Sequence, residues 1–197
     1  NVAIHYNDIG TVYLHKGEHD LALEFLGKSL VIRLRHLGEN HPDVDEAFNN
    51  IGGVHSQKGE HDQALEYFQK ALHSAINNLG KNHPRVSAIC NNIGGELLRK
   101  GEYDQGLTFF RKSLEIKLEQ LGPDHPSVAT SYNNIGQGHE KNGEHDQALE
   151  YYQKSLAIAL NQLGPDHPHV GTCYNNIANI HGHKDEYDQA LEYYHKS

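Results

Sequence analysis

The chain has 197 residues, 37% of them hydrophobic, with no Met, no Trp and a formal charge of -9. An acidic chain without a Lys/Arg cluster has no basic stripe to displace counterions from phosphate, which excludes a nucleic-acid surface and an anionic-membrane patch. No apolar run reaches the roughly 18 residues of a membrane span, and Asn1-Val2-Ala3-Ile4-His5-Tyr6 is no secretory signal, so the expected location is cytoplasmic.

The first landmark along the chain is Tyr6-Asn7-Asp8-Ile9-Gly10. The same word returns as Phe48-Asn49-Asn50-Ile51-Gly52, Cys90-Asn91-Asn92-Ile93-Gly94, Tyr132-Asn133-Asn134-Ile135-Gly136 and Tyr174-Asn175-Asn176-Ile177-Ala178. A spacing that never slips means one structural unit repeated, each copy packing mainly on its neighbours. We therefore expect a single array over 1–197, with repeats starting near 1, 42, 84, 126 and 168 and the last one incomplete. Both termini fall inside a repeat without a polar cap, as in an excerpt from a longer array. Cys90 and Cys173 occupy different slots of different repeats, which argues against a disulfide framework and for a reducing compartment.

The stretch Pro126 to Leu163 shows how one unit is built. Pro126, after His125, suits the first helical position, where its missing donor costs nothing. Helix A is predicted from there to about Glu140, with Val128, Tyr132, Ile135, Gly136 and His139 at helical spacing and Gly143 as its stop. Helix B is predicted from near Asp146, whose charge complements the helix dipole, to Leu163. Its apolar stripe is Ala148, Leu149, Tyr152, Leu156, Ala159, Leu160 and Leu163.

These features, an aromatic, Ile-Gly three residues on, a further Gly, then Ala-Leu and a second aromatic, resemble the tetratricopeptide repeat, whose usual period is 34. The longer period, the Asn-Asn pair and Leu-Gly-x-x-His-Pro between units resemble the repeats of kinesin light chain. The resemblance covers the whole chain and implies an all-α fold, a right-handed α-solenoid of helical hairpins. Cys90 on the aromatic slot, Gly106 on the alanine slot and Asp185 on the glycine slot depart from the pattern and put local packing there in question.

In such repeats helix A lines a concave groove, so the resemblance places a ligand surface opposite the buried arc. At about 100° per residue that surface carries Thr130, Gln137 and Lys141, flanked by Asn133 and Asn134. The wall becomes Asn7, Asn49, Asn91, Asn133 and Asn175, backed by Asp8, Asn50, Asn92, Asn134 and Asn176. Asparagine disfavours a helix interior by about 0.5 kcal/mol relative to Ala, so tandem pairs need a reason. Each carboxamide can hold an extended peptide by its backbone, or one of each pair can bond to the neighbouring helix and only propagate the array. After Ile-Gly the next slot reads Thr11, Gly53, Gly95, Gln137 and Asn179. Two neighbouring repeats thus lack a side chain, a gap for one bulky ligand residue with Asn49 and Asn91 as clamps and Ser56 and Leu98 as walls. Tandem glycine for close helix contact is the alternative.

The 17 histidines sit mostly in repeated slots, His41, His83, His125 and His167 before the proline and His19, His61 and His145 before helix B, which reads as structural. His181 and His183, two apart on a helix, point away from each other and cannot chelate together. Glu60, Glu102 and Glu144 read as solvated. No nucleophile elbow, phosphate-binding loop or paired metal motif occurs, so we expect no enzyme, no cofactor and no metal. The expected function is a protein-interaction scaffold or adaptor binding an extended peptide. The alternatives are an array that self-associates end to end or a regulatory repeat domain of a larger enzyme or signalling protein.

Overall fold

Four His-Pro pairs punctuate the fold. In each, proline takes the first helical position, and the Nδ1 atom of His41, His83, His125 or His167 accepts the backbone N–H two residues on at 3.1 Å. That bond satisfies one of the donors every helix start leaves open. The computed structural model describes residues 2–197, and among these ten helices and no strand occur. The A helices are α1 (Val2–His15), α3 (Pro42–Gln57), α5 (Pro84–Arg99), α7 (Pro126–Lys141) and α9 (Pro168–His183). The B helices are α2 (His19–Leu37), α4 (His61–Leu79), α6 (Tyr103–Leu121), α8 (His145–Leu163) and α10 (Tyr187–Tyr194). The boundaries expected for the fourth repeat fall within one residue of those observed.

The chain forms two compact units, residues 1–100 and 101–197. In the first, α1 to α5 pack consecutively; in the second, α6 to α10 do the same. The fold class is the tetratricopeptide-type array of helical hairpins that the repeat implies. One core cluster of the first unit joins Ala22, Leu26 and Leu30 of α2 to Val44, Ala47, Ile51 and Val54 of α3. In the second unit Ala148 and Tyr152 of α8 meet Ile177 and Ile180 of α9. Each Val, Leu or Ile among them contributes about 1.5–3 kcal/mol by leaving water.

The glycine of the Ile-Gly pair lets helix B approach helix A. A Cβ on Gly52 would sit 2.8 Å from the Phe68 ring, and one on Gly136 would sit 2.7 Å from the Tyr152 ring. The three departures from the repeat pattern are absorbed locally. Cys90 and Gly106 are buried, and Cys90 and Cys173 remain thiols. Asp185 takes φ 61, the one positive φ outside glycine among the described residues, in the slot where Gly143 has φ 77. Its carboxylate accepts the Tyr187 hydroxyl at 2.6 Å.

Candidate functional site

The tandem asparagines of helix A divide their work. The second carboxamide of one repeat donates to the first of the repeat before: Asn50 Nδ2 to Asn7 Oδ1 at 3.1 Å and Asn92 Nδ2 to Asn49 Oδ1 at 3.1 Å in the first unit. Asn176 Nδ2 donates to Asn133 Oδ1 at 2.9 Å in the second. These rungs are the array-propagating bonds that one reading of the pairs anticipated. They also fix the orientation of the first carboxamide. With Oδ1 of Asn49 and Asn133 occupied, no described residue accepts from their Nδ2 atoms, which leaves two N–H donors each.

The expected surface residues separate into three groups. Gln137, Lys141 and Asn175 are exposed, while Asn49, Asn50, Asn91, Asn92, Asn133 and Asn134 are half-buried. Asn7, expected on the wall, is only 7% exposed, covered by the carboxamide that reaches it from α3. Leu98, expected to wall a gap, is 5% exposed. Its slot faces helix B: Leu14 packs onto the core around Leu26, and Glu140 accepts the Tyr152 hydroxyl at 2.5 Å. The helical wheel itself puts this slot within about 40° of the buried Ile-Gly glycine.

The two bare slots of α3 and α5 are open. A Cβ on Gly53 would meet nothing within 4 Å, and one on Gly95 would meet only a guanidinium nitrogen of Arg99 at 3.7 Å. Close helix contact therefore does not explain these glycines, in contrast to their neighbour Gly52. Arg99 is held in place by a buried carboxylate. Glu96 stands in the slot that carries Val12, Val54, Gly138 and Ile180 in the other repeats. Its side chain is 2% exposed and accepts the Ser56 hydroxyl at 2.5 Å, pairs with His61 Nδ1 at 2.8 Å, and also pairs with Arg99. A carboxylate taken out of water persists only with such partners, and three of them fix its position. Ser56, expected as a wall, is thus turned onto Glu96. The signal for this cluster lies in the sequence, a charged residue in an otherwise apolar slot.

The histidines and glutamates at the hairpin turns pair with each other. His55 meets Glu60 at 2.6 Å, His139 meets Glu144 at 2.5 Å and His181 meets Glu186 at 2.6 Å. The same rings stack on Tyr67, Tyr151 and Tyr193 at 5.3 to 5.4 Å. The hydrogen bonds from His55 and from Lys58 hold the Glu60 carboxyl below its usual range, and His181 does so first for Glu186. Glu60 and Glu144 are therefore not simply solvated, because each closes a turn onto helix A. His183 stacks on His145 at 5.2 Å instead of meeting His181. Among the described residues no three His, Cys, Asp or Glu side chains converge as metal ligands, and no helix is long and apolar enough to cross a membrane.

The sequence model of the tetratricopeptide repeat family matches residues 1–75, 43–104, 86–159 and 138–197. No curated protein sequence matches significantly. Among solved structures, the nearly identical TPR-like repeats of a Podosopora anserina protein described as a kinesin light chain align with TM-score 0.85 at 18% identity, over 98% of this chain and 91% of that one. BtubC (BKLC) from P. vanneervenii aligns with TM-score 0.84 at 20% identity, over 93% and 73%. The apo form of RapI aligns with TM-score 0.85 at 20% identity, over 98% and 68%. At these identities the likeness shows the fold, and arrays with this fold are typically protein–protein interaction scaffolds.

Proposed function

We propose, for a chain that belongs to the tetratricopeptide repeat family along its whole length, that it is a non-catalytic scaffold holding an extended segment of a partner protein against helix A. The observation that carries this reading is the oriented carboxamide. Asn49 and Asn133 have their oxygens tied to the next repeat and their N–H groups left to donate, as a ligand backbone carbonyl requires. A net interaction of this kind is worth about 0.5–1.5 kcal/mol per hydrogen bond. In the first unit the pairing occurs twice, Asn50 on Asn7 and Asn92 on Asn49, while an extended segment advances about 3.3 Å per residue, so these two rungs meet different residues of one segment.

Side-chain preference then comes from what stands beside the rungs. In the first unit Gly53 and Gly95 leave backbone bare, with the Arg99 guanidinium next to Gly95. That opening takes one large side chain of the bound segment, and such central anchors dominate interface energies. The test is a selection of displayed random peptides on the folded chain, followed by calorimetric titration of a binder against Gly53→Gln plus Gly95→Gln. At least about tenfold weaker binding is expected, equal to about 1.4 kcal/mol, with a melting temperature that does not fall. Unchanged affinity, or no peptide enriched over an unrelated helical array, contradicts it.

A further inference from the structure

Most lysines of this chain are held by a carboxylate, while Lys81, Lys112 and Lys141 stand exposed on the surface. Lys28, Lys70 and Lys154 each lie 2.5 to 2.7 Å from a glutamate one turn away on the same helix, and Lys196, just past the end of α10, lies 2.5 Å from Glu192. Lys58 and Lys184 reach Asp20 and Asp146 of the preceding repeat at 3.0 and 2.9 Å. The hydrogen bond each of these six ammonium groups donates to a carboxylate holds it above the ordinary lysine range.

Lys117 is built differently. It projects from α6 onto the start of α7, where its Nζ donates to Ser131 Oγ at 2.7 Å and to the Ser127 carbonyl at 3.4 Å. Both partners are neutral, and among the described residues no carboxylate forms an ion pair with it. On α6 the residues one turn away are Ser113, Leu114, Gln120 and Leu121, and α7 carries no charge from Pro126 to Gly138. In the turn between them lie Asp124 and His125, and His125 is occupied by the Ser127 N–H. The amine is half-buried, and burial alone lowers its pKa. The corresponding slot holds Arg33, Ala75 and Ala159 in other repeats, so Lys117 is no part of the repeated framework.

We propose that Lys117 is acylated in preference to the ion-paired lysines of this chain, by activated acyl donors of the thioester or acyl phosphate class. A lysine is a nucleophile only as the free amine, and a desolvated lysine without a counter-charge reaches that form at lower pH than an ion-paired one. In the step, the amine lone pair forms a C–N bond with the acyl carbon while the bond to the leaving sulfur or phosphate oxygen breaks. The leaving group departs with the electron pair, and the nitrogen loses its proton to solvent. The product amide N–H keeps a donor for Ser131 Oγ, so the junction loses a charge without losing its hydrogen bond.

The test treats the folded chain with limiting acetyl phosphate near neutral pH and follows each lysine by peptide mass spectrometry. Lys117 should be acetylated at least about threefold faster than Lys70 and Lys154, because a larger share of it is free amine at this pH. In denaturant, where the environments are equal, the preference should vanish. A rate at Lys117 equal to or below that of Lys154 in the folded chain overturns the proposal, whether pairing or shielding is the cause.

Discussion

Adjacent glycines on one helix differ in what a methyl group would meet. At Gly136 an added Cβ would lie 2.7 Å from the Tyr152 ring, which is itself pinned by its hydroxyl on Glu140. Gly136→Ala should therefore cost about 1–3 kcal/mol of overpacking. At Gly53 the same change meets open space on a helix, where alanine is better than glycine by up to about 1 kcal/mol. Thermal melts of the two variants should move in opposite directions, and equal shifts would show that the distinction between packing glycine and open glycine is wrong. His169 supplies a second test at this scale. Burial, reinforced by His167, lowers its pKa, and its Nε2 lies 3.3 Å from Ser155 Oγ. A depressed histidine leaves stability intact above the unfolded value near 6.5 and loses it as pH falls below that value, since the unfolded chain takes up the proton first. The melting temperature should drop more between about pH 7 and pH 5 in the wild type than in His169→Gln. Parallel curves would refute the assignment.

Helices were legible because their ends are written in residues with one meaning. Proline after histidine starts helix A, and a positive-φ glycine such as Gly143 stops it, so both ends could be placed before any packing was known. What a helix face touches was less legible. Leu98 reads as a groove wall because it lies about one turn past the bare slot at Gly95, yet it also lies one turn past Gly94, which brings its slot back to helix B. Glu60 and Glu144 looked solvated because the loop before a helix is polar, and only the fold brings them onto His55 and His139. Each element also depends on its neighbour for a buried face. Residues 126–167 alone would leave the face of α8 that packs on Ile177 and Ile180 in water. Circular dichroism of that excised repeat should show no cooperative helical melt, and a sharp one would contradict the nearest-neighbour origin of its stability.

Across the molecule the repeats share a framework and differ at their junctions. Arg33 donates to the Asp43 carbonyl at 2.5 Å, and Arg85 reaches Asp45 at 2.7 Å and the Pro42 carbonyl at 2.6 Å. Burial pushes the Asp45 carboxyl up, against the pull of Arg85. In the second unit Lys117 and His169 meet serines instead. Sequence repetition predicted the framework and could not rank these singular residues, since each is ordinary by type and becomes unusual only by what surrounds it. The same holds for the bare slots at Gly53 and Gly95. Their recurrence was visible, but that one glycine opens to solvent while its neighbour packs required the position of Phe68.

In the proposed function Asn49 and Asn133 serve the array through their oxygens and the ligand through their nitrogens. Asn49→Asp separates the two, because a carboxylate still accepts from Asn92 but has no hydrogen to donate. Calorimetry of a selected peptide, with thermal melts of the same samples, should show Asn49→Asp weakening binding by about 1 kcal/mol or more with little change in melting temperature. Asn49→Ala should lose both, since it leaves the Asn92 donor unsatisfied. If Asn49→Asp binds like the wild type while Asn49→Ala only melts lower, the rungs are purely structural and the proposed role of the helix A carboxamides is wrong.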